Sequence, residues 1–224
     1  MMRTANFIVF GTGRSGSTLL VDMLNHHPQI GCDREIFNLH SLKRKPVQNL
    51  LRQHAPRLLI ALHRAATMRS SRKPIYGFKL QSTQVPQPLR LLRQQQHDGW
   101  LVIWLYRRDL FRQIISTVAA HTTRRYNSNR HRAAEEAPPQ VTIAAEQMTR
   151  LVNKHVRQYN EHRRMMAELP HLQVVYEDDL KQPADQLRTL QRIAGVLGAD
   201  AAVNSAVTSV RPPWQMPYRQ IVTL

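Results

Sequence analysis

One cysteine, Cys32, among 224 residues excludes an internal disulfide framework and a zinc site built on cysteine. The 11 histidines show no metal-ligand spacing, so no metal is expected. Long apolar runs are missing too: none approaches the ~18 residues of a membrane span. The apolar run at 6–10 is too short for a secretory signal and leads straight into glycines. These absences predict a cytoplasmic protein. Aromatics make up only 6% of the chain and do not interleave with its basic runs, which argues against a stacking platform for single-stranded nucleic acid. No specific nucleic acid partner is expected. Acidic residues are scarce, 15 against 32 Lys and Arg, for a formal charge of +17. An anionic partner is therefore favoured at every encounter. A small polyanionic ligand, an acidic polymer or an anionic membrane surface reached through the basic face all fit that sign.

The length suits one sizeable core and is short for two, which predicts a single domain over 1–224. Apolar runs rich in branched and aromatic residues at 7–10, 75–80, 101–106 and 172–176 predict strands. Helical spacing fills the intervals at 18–25, 46–68, 144–169 and 184–197, the last closed by Gly198. Strands alternating with helices predict an α/β fold with a mainly parallel central sheet flanked by helices in three layers. The polar stretch at 127–140, with Pro138 and Pro139, is expected to be a loop or lid over the site.

The chemistry concentrates where the first strand meets the first helix, at Gly11-Thr-Gly-Arg-Ser-Gly-Ser-Thr18. Glycines let a backbone approach a ligand, and free N–H groups at a helix start point at its oxygens. Ser15, Ser17 and Thr18 add hydroxyl donors, and Arg14 adds a fixed charge. The run nearly satisfies the nucleotide-kinase signature, but Ser17 stands where that motif needs lysine. A magnesium-binding aspartate is no clearer, the segment at 174–179 being only a loose candidate.

Gly13-Arg-Ser-Gly-Ser-Thr-Leu-Leu20, followed by His27-Pro28, resembles the 5′-phosphosulfate loop of PAPS-dependent sulfotransferases. The likeness is to the branch holding bacterial glycolipid and trehalose sulfotransferases, carbohydrate sulfotransferases and tyrosylprotein sulfotransferases. It implies that residues 13–18 hold the 5′-phosphosulfate of 3′-phosphoadenosine 5′-phosphosulfate (PAPS), with Arg14 stabilising charge on the transferring group. A second segment, Trp100-Leu-Val-Ile-Trp-Leu-Tyr-Arg-Arg-Asp109, is a strand ending in charge. The interval from Arg108 to Ser116 resembles the family's 3′-phosphate motif, which implies that both contact that phosphate.

By the same resemblance Glu35 is the general base. By position alone it would be a surface carboxylate paired with Arg34. Lys79, in Tyr76-Gly-Phe-Lys79, resembles a Gly-x-Lys element of the same branch. It is expected at the end of its strand, either steadying the sulfuryl group or standing in solvent. Tyr176, in Tyr176-Glu-Asp-Asp-Leu180, resembles a Tyr-Glu-Asp-Leu segment of sulfotransferases and is expected near the adenine. The likeness spans about 6–198. The tail departs from it, since residues 210–219 lack the Arg-Lys-Gly loop of cytosolic relatives.

The implied reaction is in-line transfer of a sulfuryl group from PAPS to a hydroxyl acceptor of the carbohydrate or glycolipid class, leaving 3′-phosphoadenosine 5′-phosphate (PAP). Two other readings of these residues stay open. A phosphate-loop kinase or nucleotide-dependent phosphotransferase is favoured by the glycines and weakened by the missing lysine. A non-catalytic polyanion binder is suggested by the charge of +17 and the basic run at 124–132.

Overall fold

The structure, a computed structural model, describes residues 6–38, 46–123 and 142–200. Strands β1 (Phe7–Gly11), β2 (Ile30–Glu35), β3 (Ile75–Gln81), β4 (Leu101–Tyr106) and β5 (Leu172–Val175) form one five-stranded sheet in the order β2-β3-β1-β4-β5. Every neighbouring pair is parallel. Helices α1 (Ser17–His26), α2 (Pro46–His54), α3 (Pro56–Ser71), α4 (Pro88–His97), α5 (Leu110–Thr123), α6 (Ala145–Ala167) and α7 (Pro183–Leu197) flank it.

Period-two alternation divides the core. Phe7 and Val9 of β1 face a cluster with Leu20 and Leu24 of α1 and Leu190 and Ile193 of α7. Ile8 and Phe10 face the opposite cluster, with Leu59 of α3, Leu92 of α4 and Met166 of α6. Burial on both faces explains why β1 and β4 are apolar throughout instead of alternating with polar residues.

The four strands expected from the sequence are present. The fifth, β2, is half polar in Ile-Gly-Cys-Asp-Arg-Glu and carries no continuous apolar signal. The single helix expected over 46–68 is two, because Pro56 lacks the N–H and the clearance to continue α2 and opens α3 at its first turn. The 127–140 stretch, the basic run at 124–132 and the tail at 210–219 lie outside the described residues.

The connection after β1 leads toward β2 and β3, whereas that after β4 leads toward β5. The carboxyl ends of β1 and β4 therefore flank a topological switch point, where open parallel sheets bind ligands. Among the described residues no helix is long and apolar enough to cross a membrane.

His162 of α6 tests this packing independently of the site. It is 2% exposed, its ring centroid lies 4.7 Å from that of Phe10, and its Nε2 has no hydrogen-bond partner among the described residues. Burial pushes its pKa down to about 4. Because the folded value is depressed, the neutral ring carries no ionisation penalty above the unfolded value, and the fold loses stability as pH falls from ~6.5 toward ~4, by about 3 kcal/mol at most. Urea unfolding at pH 7 and pH 4.5 should show a smaller acid-dependent loss for His162→Leu than for the wild type. An identical loss in both would remove His162 from the account.

Candidate active site

The loop after β1 is shaped by two left-handed residues, Arg14 at φ 61° and Gly16 at φ 94°. Gly16 is required twice over: by that φ, and because a Cβ there would strike the Tyr176 ring. Gly11 is required by close approach, since its Cβ would strike the Leu105 carbonyl oxygen of β4. Ser15 Oγ donates to the Thr12 carbonyl at 2.8 Å, and Gln113 Nε2 of α5 donates to Thr12 Oγ1 at 2.7 Å and to the Gly13 carbonyl at 2.6 Å. The turn is thus tied from within and from the neighbouring helix. At the start of α1, Gly16 provides no side-chain cap and the first turn carries no acid. Its amides and Ser17 and Thr18 form a cradle for an oxyanion.

Positive charge converges on this cradle. Arg14 Nε donates to Ser116 Oγ at 2.9 Å, joining the loop to α5. Burial, and secondarily the charge of Arg107, hold the Arg14 guanidinium below its ordinary pKa. Arg107 is only 9% exposed and lies with Cζ 4.7 Å from the centroid of the Tyr176 ring. Tyr176 opens a π-helical turn, Tyr176–Leu180, after β5. Its ring therefore sits between Gly16 and Arg107. Arg108 points the other way: its side chain is 57% exposed and paired with Asp178. Its backbone N–H and that of Asp109 donate to the Glu177 carboxylate at 3.0 and 3.2 Å. Arg108 and Ser116, linked by spacing in the sequence, thus have separate partners, Asp178 and Arg14. Arg107, which the sequence reading passed over, occupies the interior.

The second half of the site lies on β2 and β3. A bulge between Asp33 and Glu35 sets Glu35 opposite Lys79 in the register, so that Lys79 Nζ lies 2.6 Å from Glu35 Oε1. Lys79 is 8% exposed and lies within β3, which runs on to Gln81. The expectation of a strand-end lysine in solvent is corrected accordingly. Gln81 Nε2 donates to Glu35 Oε1 at 2.6 Å, while Asn38 Nδ2 and Gln84 Nε2 donate to Oε2 at 2.8 and 2.9 Å. Burial alone would raise the Glu35 pKa, but the Lys79 charge and the hydrogen bonds from Lys79, Asn38 and Gln81 outweigh it and hold the carboxyl below its ordinary value. Arg34 pairs instead with Asp22, at 3.4 Å.

Gln81 also joins the two halves. Its Oε1 would lie 3.7 Å from a Cβ built on Gly13, so the amide that holds Glu35 abuts the loop. Within the 174–179 segment considered for magnesium, Asp179 accepts bonds from the Val175 N–H at 2.6 Å, Thr189 Oγ1 at 3.1 Å and Arg192 Nη2 at 2.9 Å. Its carboxylate pins β5 to α7. The arrangement as a whole can bind a polyanion at the switch point and take a proton from a group placed beside it.

A sulfotransferase domain from the curacin biosynthetic pathway is similar in structure, with a TM-score of 0.51 at 14% identity, covering 96% of this chain and 81% of that one. A sulfotransferase from Alicyclobacillus acidocaldarius matches at 15% identity and a TM-score of 0.49, covering 90% and 84%. A mouse sulfotransferase complexed with PAP matches at 15% identity and a TM-score of 0.48, covering 93% and 62%. No curated protein sequence matches the chain. The first of these likenesses concerns the parallel α/β fold. A family model described as the sulfotransferase family matches residues 6–198, which include the glycine loop, Glu35, Lys79, Arg107, Arg108, Ser116 and Tyr176, and the chain belongs to that family.

Proposed function

We propose that the protein transfers a sulfuryl group from PAPS to a hydroxyl of a carbohydrate or glycolipid acceptor. The observation that carries this reading is the contact chain from Glu35 through Gln81 to Gly13. It sets a half-buried, ionised carboxylate beside a loop shaped to hold an oxyanion. Residues 13–18 fit the 5′-phosphosulfate, through the Gly16 turn, the uncapped α1 amides and the Arg14 guanidinium. Arg108 and Ser116 are assigned to the 3′-phosphate, and Tyr176 to the adenosine side of the loop.

Glu35 accepts the acceptor's hydroxyl proton as the acceptor oxygen bonds to sulfur. The bond from sulfur to the bridging phosphate oxygen breaks in the same displacement, leaving PAP and a sulfate ester. Arg14, Lys79 and the loop amides hold the negative charge that develops on the leaving phosphate. Side chains and amides thus supply the positive charge from the protein itself. A kinase would draw that charge from a lysine at position 17, and the residue there is Ser17.

The test separates this reading from any ATP-using alternative. By calorimetry the wild type is expected to bind PAP at least ~10-fold more tightly than ADP, about 1.4 kcal/mol, and Arg108→Ala to erase most of that preference. Charge-assisted bonds to a phosphate are roughly twice as strong as neutral ones, so losing the guanidinium should outweigh losing any one hydroxyl. Equal affinities in the wild type would count against PAPS as donor. A preference that survives the substitution would remove only Arg108 from the 3′ site.

A further inference from the structure

We propose that the Asn38 amide holds the place of the acceptor hydroxyl on Glu35, and that the acceptor enters by taking that hydrogen bond over, a step that rests on the reading of Glu35 as the general base. An ionised carboxylate offers about four lone-pair sites on its two oxygens. In Glu35 all of them are taken. Oε1 receives Lys79 Nζ and Gln81 Nε2, each at 2.6 Å, and Oε2 receives Gln84 Nε2 at 2.9 Å and Asn38 Nδ2 at 2.8 Å. A fifth donor finds no lone pair to approach, so a hydroxyl can give its proton to Glu35 only where one of the four withdraws.

Three of the four are held in place. Lys79 is an ammonium only 8% exposed, and drawing it off would leave a buried charge uncompensated. Gln81 and Gln84 form the reciprocal cap of a 3₁₀ turn, Ser82–Gln84. Gln84 Oε1 accepts the Gln81 N–H at 3.0 Å, and the Gln81 side chain accepts the backbone N–H of Gln84. Arg52 Nη1 of α2 fastens the Gln84 carbonyl at 2.9 Å. Turning either glutamine amide away from Glu35 therefore breaks the cap as well. Asn38 belongs to neither strand nor cap. It lies half-buried on the turn that leaves β2, its backbone N–H donating to the Glu35 carbonyl at 3.2 Å. The exchange concerns its Nδ2 bond to Glu35 alone and not its other contacts.

A hydroxyl gains by the trade. It bonds an ionised oxygen at ~2.5–2.7 Å, shorter than the amide bond it replaces, and it brings a proton that the amide cannot give up. As the acceptor oxygen bonds to sulfur, that proton passes to Oε2 and the bond from sulfur to the bridging phosphate oxygen breaks, leaving PAP. Asn38 is thus a positioning residue that acts through Glu35, keeping the carboxylate aligned until the acceptor arrives.

Steady-state kinetics of the full chain with PAPS and a working acceptor, beside calorimetry with PAP, test the exchange. Asn38→Ala should raise kcat/KM for the acceptor by roughly 2–10-fold, the net worth of one hydrogen bond that no longer has to be given up, and leave PAP affinity unchanged. Lys79 is the charge that acts on Glu35, and Asn38 is among the donors that hold its pKa down, so loss of the amide should also move the acid limb of turnover to higher pH. Gln84→Leu, which removes a fixed donor together with the cap, should instead lower kcat/KM. Asn38→Ser, whose donor stands one bond nearer the backbone, should repeat the alanine result and serves as the test if the alanine variant does not fold. A kcat/KM that is unchanged or lower in both Asn38 variants, or a gain without the shift of the acid limb, would overturn the exchange while Glu35 remains the base. Wild-type turnover in Glu35→Gln would remove the base itself, and the exchange with it.

Discussion

Arg14→Ala is expected to lower sulfuryl transfer by roughly 10²–10³-fold, the loss that follows removal of one well-placed donor to a developing oxyanion, while its melting temperature stays near that of the wild type. The backbone argument supports the second half. Arg14 already sits at φ 61°, a region that costs a residue with a side chain roughly 1–2 kcal/mol, and alanine meets the same cost without adding to it. Arg14→Gly should relieve that strain and unfold no sooner than the wild type, yet be as slow as the alanine variant. Arg14→Lys should fall between, keeping a charge but losing the planar fork and the Nε bond to Ser116. Turnover with PAPS and a working acceptor, read beside thermal melts of the same samples, checks all three. Alanine turnover at the wild-type rate would remove the loop from the chemistry.

Parts of this site were legible because their physical causes are local. A glycine-rich turn between a strand and a helix is written in consecutive residues, and Gly11, Gly16 and Ser17 stand where close approach, a positive φ and a helix start require them. The apolar strands β1, β3, β4 and β5 were legible for the same reason. What escaped was set by neighbours distant in sequence. β2 becomes a strand by pairing with β3, since its own residues are half polar. Lys79 is buried because a bulge in β2 delivers a carboxylate to it. No local feature separates Arg107 from Arg108. Only the Tyr176 ring, brought in by β5 and the π-helical turn, shows which of the two faces inward.

Glu35→Gln is expected to reduce turnover at neutral pH by about 10²–10⁴-fold, the usual contribution of a positioned general base, with PAP affinity nearly unchanged because Glu35 lies on β2 and not in the loop. The pH dependence makes this more than a loss-of-function result. Lys79 and the Asn38 and Gln81 side-chain amides hold the Glu35 carboxyl below its ordinary pKa against the opposing effect of burial. The ionised, proton-accepting form therefore persists to lower pH than for a free glutamate. Wild-type turnover should hold above that depressed pKa and fall only as pH drops through it, and the glutamine variant should lack this limb. A carboxylate held below its ordinary pKa is a weaker base than a free glutamate. Lys79→Met supplies the decisive comparison. With the ammonium gone and burial retained, the Glu35 pKa must rise, so the acid limb should move to higher pH even as the maximal rate falls. A limb that stays in place in Lys79→Met, or persists in Glu35→Gln, belongs to another group and would return Glu35 to a structural role between β2 and β3.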